Sequence, residues 1–105
     1  MAIYENSIPV GAQVPTAGDN IGGGLIAAVY MGAGGDGTTY DIEYSPDSGT
    51  TWDPVTDEAG TAIQITYVSG GAMHQINPPI RAPFVRINSD TNEADAALEY
   101  ELHTV

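Results

Sequence analysis

Reactive side chains are scarce in this chain. Fourteen aspartates and glutamates face two arginines, Arg81 and Arg86, and two histidines, His74 and His103, with no lysine and no cysteine. General acid–base catalysis needs paired carboxylates in a cleft with shifted pKa values. The acids here fall on the polar sides of alternating segments or in turns, where solvation is the expected state. A zinc site would need both histidines and a carboxylate, and the two histidines are far apart in sequence. Asp36 and Asp41 are too few oxygens for calcium. The glycine-rich loop Gly32–Gly37 is followed neither by Gly-Lys-Ser/Thr nor by a helix, so it reads as a flexible turn and not a nucleotide cradle. No serine sits in a Gly-x-Ser-x-Gly context. The sequence thus reads as non-enzymatic, with no catalytic residue, no cofactor and no metal ligand set.

Recognition is better supplied than catalysis. Lone cations among many acids should be paired. For Arg86 the alternatives are a cross-strand Asp or Glu within the chain, or a bidentate bridge to another subunit. The large apolar area of Trp52 favours an inward position. Turned outward, Trp52 and the six tyrosines would instead form a stacking platform for sugars, which makes a carbohydrate-binding module one function class to consider.

The net charge of −12 repels phosphate backbones and anionic bilayers, so direct nucleic-acid and membrane partners are excluded. It can keep the protein dispersed or complement a basic partner surface. Without cysteine the redox compartment is unreadable. No cationic segment followed by an apolar run suggests a leader, and no apolar stretch has spanning length. Met1-Ala2-Ile3 reads as the start of a protein that stays where it is made.

The elements that would position these residues read as short strands. With 13 glycines and 7 prolines and abundant Thr, Val, Ile and Tyr, the composition favours all-β structure. Tyr40, Ile42 and Tyr44 alternate with Asp41, Glu43 and Ser45, the period of a strand with one buried face. Ser45-Pro46-Asp47-Ser48-Gly49 then turns the chain. Pro46 presets φ, Asp47 can bond the backbone two residues on, and Gly49 accepts positive φ. Trp52–Thr56 returns, with Pro54 marking an edge. Residues 1–23 are expected to form an extended arm with room for one edge strand over 8–14, reaching onto a neighbouring subunit or simply opening the fold. Leu25–Met31 is apolar throughout and reads as a strand buried on both faces or at an interface. Ile63, Ile65 and Tyr67 oppose Gln64, Thr66 and Val68. Met73–Asn77 is a weak strand, and Pro78-Pro79 should bar regular structure until Ile80. Val85 and Ile87 oppose Phe84 and Arg86. Residues 97–104 alternate as a strand, although Asp90–Glu93 also fits a helix-capping box. Residues 24–105 therefore form one antiparallel β-sandwich of seven to eight short strands, jelly-roll or immunoglobulin-like.

Two resemblances rest on these residues. Ser45-Pro-Asp-Ser-Gly-Thr-Thr-Trp52 resembles the Asp-box of sialidase propellers, with Ser45, Asp47, Gly49 and Trp52 as the structural turn. In that family the turn lies away from the catalytic pocket, and two arginines cannot supply the sialidase arginine cluster. Residues 39–56, and more loosely 82–89, are also similar to small structural proteins of tailed phages. That resemblance implies a capsid decoration (cement) protein, or a neck, tail or fibre protein of the same virion. A decoration protein would be made in the host cytoplasm and would reside on the capsid surface. It would form a dimer or trimer and bridge subunits of the major capsid protein. The contact surfaces would be the arm and the apolar run, with Ile3, Tyr4, Ile8, Val10, Leu25, Val29, Met31 and Arg86 as interface residues.

Overall fold

Alternating apolar residues become strands across the chain in the computed structural model, which describes residues 1–105. The strands are β1 (Ala2–Ile8), β2 (Asp19–Asn20), β3 (Leu25–Met31), β4 (Thr39–Tyr44), β5 (Asp53–Pro54), β6 (Gln64–Thr66), β7 (Ala72–Arg81), β8 (Phe84–Ser89) and β9 (Leu98–Thr104), with no helix. One sheet has the order β1-β9-β3-β7. The other runs β2-β8-β4-β5, and β6 also pairs with β4. All pairings are antiparallel.

The order settles the topology. β5 meets β4 at Glu43 and Tyr44, while β6 meets it at Thr39–Asp41. Because β8 occupies the other edge of β4, β5 and β6 are two halves of one strand, interrupted by an excursion over residues 55–63. Counted that way, each sheet has four strands, and consecutive strands exchange between sheets except where β4 pairs with the merged β5–β6 strand, as in a double Greek key. This is a jelly roll.

The core lies between the two sheets. Ile8, Ile26, Val29 and Met31 meet Tyr40, Ile42, Val85 and Ile87, with Leu98, Tyr100 and Leu102 from β9. Burying each such side chain contributes roughly 1.5–3 kcal/mol. Alternation is faithful where a strand has a wet outer face. In β9, Leu98, Tyr100 and Leu102 point inward while Glu99, Glu101 and His103 point out.

Several expectations need correction. Residues 1–23 do not extend away from the sandwich. The edge strand is β1 at 2–8, not 8–14, and it pairs along its length with β9. Pro78 and Pro79 do not interrupt β7. They are tolerated because β7 is an edge strand and because its register with β3 shifts between Ile26 and Ala28. Leu25–Met31 buries mainly one face, leaving Tyr30 exposed. The strand at the C-terminal end is confirmed, and Glu93 has another use, described below.

Candidate functional site

Period-2 geometry sends Glu43 of β4 and Phe84, Arg86 and Asn88 of β8 to the outer face of the sheet that β4 and β8 share. The register sets Glu43 opposite Arg86. Arg86 Nε donates to Glu43 Oε1 at 2.7 Å, and Asn88 Nδ2 donates to Glu43 Oε2 at 3.0 Å. Both carboxylate oxygens are thereby engaged, and Glu43 is 8% exposed although it faces outward. The terminal guanidinium nitrogens of Arg86 make no hydrogen bond within the chain.

The Ser45–Trp52 turn closes over the end of this row. Ser45 Oγ accepts from the Gly49 amide at 2.7 Å and from the Asp47 amide at 3.3 Å. Asp47 accepts from the Thr51 amide and the Thr51 hydroxyl, each at 2.8 Å, and from the Ser45 hydroxyl at 2.8 Å. These donors, the Thr51 amide foremost, hold the Asp47 carboxyl down at about 2. The bond two residues on thus belongs to Ser45, whereas Asp47 reaches four residues on to Thr51. Gly49 has φ 99°, as the turn chemistry requires, and Ser48 also sits at φ 60°.

Trp52 leaves this turn and enters neither the core nor bulk solvent. Its half-buried ring lies under Arg86, with Cζ 4.5 Å from the ring centroid, and its Nε1 donates to the Gly49 carbonyl at 3.2 Å. Gly18 makes the position available. A Cβ there would lie 2.2 Å from Trp52 Cη2 and 2.7 Å from Cζ2. Between the 15–18 segment and the 48–50 turn opens a cleft of about 450 Å³, whose walls include Pro15, Thr16, Thr50, Trp52, Phe84 and Arg86. It combines an aromatic wall, hydroxyl groups and an arginine with uncommitted donors, within the size range of small-ligand sites.

The tyrosines do not join this wall. Tyr40 and Tyr100 are fully buried, Tyr4, Tyr44 and Tyr67 pack against the core, and only Tyr30 is exposed, on the other sheet. A larger cleft of about 670 Å³ lies between the 55–63 excursion and Pro78–Arg81. Its floor is aliphatic, it has no aromatic wall, and Arg81 at its rim donates to the Gly23 carbonyl at 3.0 Å.

A second polar constellation lies in the interior. Glu93 is fully buried. Its Oε2 accepts from the Tyr40 hydroxyl at 2.9 Å and from the Ser89 hydroxyl at 3.1 Å, and its Oε1 accepts from the Asp36 amide at 2.9 Å. Asp36 returns the tie by accepting from the Ala94 amide at 2.6 Å. Burial above all pushes the Tyr40 hydroxyl up to about 12, against the Gly37 amide, which donates to it. The glycine loop and residues 93–95 are thus fastened across the end of the sandwich. No three His, Asp or Glu side chains converge as a metal ligand set.

The residues expected at an interface are dispersed. Ile8, Val29 and Met31 are completely buried in the chain's own core, which accounts for their apolarity without a partner. Tyr4 and Leu25 are half-buried. Ile3 and Val10 are exposed, and Arg86 is held by Glu43 within the chain. Glu43, Asn88, Phe84 and Gly18 escaped the sequence reading as site residues. The one signal available was that a lone arginine should have a cross-strand acid, but which acid depends on strand register. Gly18 gives no local signal, because its backbone is not in the left-handed region.

The family model of the F5/8 type C domain matches residues 24–102, most of the chain. No curated protein and no solved structure matches.

Proposed function

We propose, from the premise that this chain belongs to the F5/8 type C domain family, that it is a non-catalytic carbohydrate-binding module. That family consists of β-sandwich domains that often bind carbohydrate, and the ligand is assigned to the Trp52 cleft. The observation that carries the reading is Arg86: its Nε is fixed by Glu43 while its terminal donors stay uncommitted beside Trp52. A pyranose offers an apolar face to the Trp52–Phe84 wall and hydroxyls to the arginine and to Thr16 and Thr50. Because Trp52 is the sole tryptophan, its fluorescence reports the site directly. Titration with a panel of mono- and oligosaccharides should change Trp52 emission, and Trp52→Ala or Arg86→Ala should abolish binding seen by calorimetry. Emission and heats indifferent to every sugar would remove the proposal.

A second reading, a structural protein of a tailed-phage virion, is supported by how the two resembling segments lie. Residues 39–56 supply β4 and β5, residues 82–89 supply β8, and β4 pairs with both. The resemblance therefore covers one contiguous piece of sheet, joined by the Arg86–Glu43 pair. On this reading the protein decorates the capsid exterior as a dimer or trimer and bridges major capsid subunits, stabilising the shell by mass action. Native mass spectrometry is the test. A dimer or trimer that raises the melting temperature of decoration-free capsids supports it, and a monomer without effect on them opposes it.

A further inference from the structure

We infer that Glu43 sets the charge preference of the Trp52 cleft, so that the site takes uncharged glycans and rejects those bearing carboxylates. The inference rests on the carbohydrate reading and narrows it. Arg86 is the only cation lining the cleft, and in isolation a guanidinium on an aromatic wall would favour a sugar carboxylate through paired charge-assisted hydrogen bonds. Here the charge is already answered. Glu43 lies 2.7 Å from Nε, and Asn88 holds its second oxygen so that the carboxylate cannot swing away. A ligand carboxylate on the outer edge of the same guanidinium would sit close to Glu43, in the field of a chain carrying −12. Hydroxyl groups face no such repulsion and can still accept from the terminal N–H groups. Glu43 itself does not line the cleft. It is a positioning residue that acts through Arg86.

The test uses methyl glycosides in matched pairs that differ only at C6, hydroxymethyl against carboxylate, in the gluco and galacto series. Wild-type protein should bind the neutral member and not its uronate, and the neutral affinity should change little between low and high salt. Glu43→Gln keeps the shape of the side chain and a hydrogen-bond acceptor for Arg86 but removes the opposing charge. It should raise uronate affinity relative to that of the neutral partner by about tenfold, a gain lost again in high salt. A merely structural role for Glu43 would lower both affinities together. Uronate bound by the wild type as tightly as its neutral partner overturns the inference and leaves the carbohydrate reading standing. Failure of both members of every pair overturns the inference, and the carbohydrate reading falls with it when the wider panel of mono- and oligosaccharides is silent too. If Glu43→Gln does not fold, the wild-type discrimination and its salt profile still decide the question.

Discussion

Two glutamates, Glu93 in the interior and Glu43 on the outer face, divide the polar work of this jelly roll. Both are nearly inaccessible and both use their two carboxylate oxygens. Glu93 has only neutral donors: two hydroxyls and one amide. Its partners come from loop, strand and sheet end, so it serves to hold the glycine loop against the segment before β9. Glu43 has a cation and an amide, both on the adjacent strand, and the terminal donors of its partner Arg86 bond to no group of the chain. A buried carboxylate closed by neutral groups is architecture. One closed by an arginine that still faces a cleft is available for recognition.

The contrast can be broken most severely at Glu93. Glu93→Ala leaves the Tyr40 hydroxyl, the Ser89 hydroxyl and the Asp36 amide without their acceptor, and should cost about 3 kcal/mol or more, read as a lowered urea midpoint. The same substitution should leave charge discrimination in the Trp52 cleft untouched in whatever fraction stays folded.

Tyr40 gives the next effect. Its folded-state pKa, at about 12, lies above the ordinary value of 10, so its contribution is complete below pH 10 and is lost as pH rises from there through about 12. Thermal melts across that window should fall steadily, with the Tyr100 hydroxyl, also pushed up by burial, adding to the slope, and Tyr40→Phe should make the alkaline limb shallower. A limb unchanged in Tyr40→Phe would refute the assignment.

Gly18→Ala sharpens the other side of the comparison. The new methyl collides with the Trp52 ring and should cost about 1–3 kcal/mol. It should also shift Trp52 emission and weaken sugar binding, with no effect on the Tyr40 titration. The smallest effect is expected at Asp47. Its carboxyl is held at about 2, below the ordinary 3.8, so its contribution is present above the ordinary value and fades as pH falls through about 2. An NMR titration should show Thr51 amide shifts moving only near that pH, and Asp47→Asn should lower the melting temperature slightly.

Much of the fold was legible because its signals are local. The alternation in residues 39–44, 84–88 and 98–104 fixes which side chains face inward, since the side-chain period of a strand is two. Ser45–Gly49 carries its own turn chemistry, and Pro54 its edge position. The reading failed where a neighbour decided the outcome. Pro78 and Pro79 break a central strand but not an outer one, and edge position belongs to the sheet. Ile8, Val29 and Met31 suggested a partner because each is apolar, and only the second sheet shows that the partner is the chain itself. Asp90–Glu93 fits a helix start by spacing, yet Glu93 accepts from nearby Ser89 and from Tyr40 of β4, far off in sequence.

The site divides in the same way. By itself the sequence determined that one arginine in the strand 84–88 must find an acid, that Trp52 follows a structured turn, and that the surface is strongly acidic. Tertiary structure alone decided that the acid is Glu43, that Gly18 leaves room for the Trp52 ring, and that the two sheets form a jelly roll rather than an immunoglobulin-like sandwich. Strand pairing joins residues more than forty positions apart, and its register is set by the packing of two whole sheets. No short stretch of sequence records that packing.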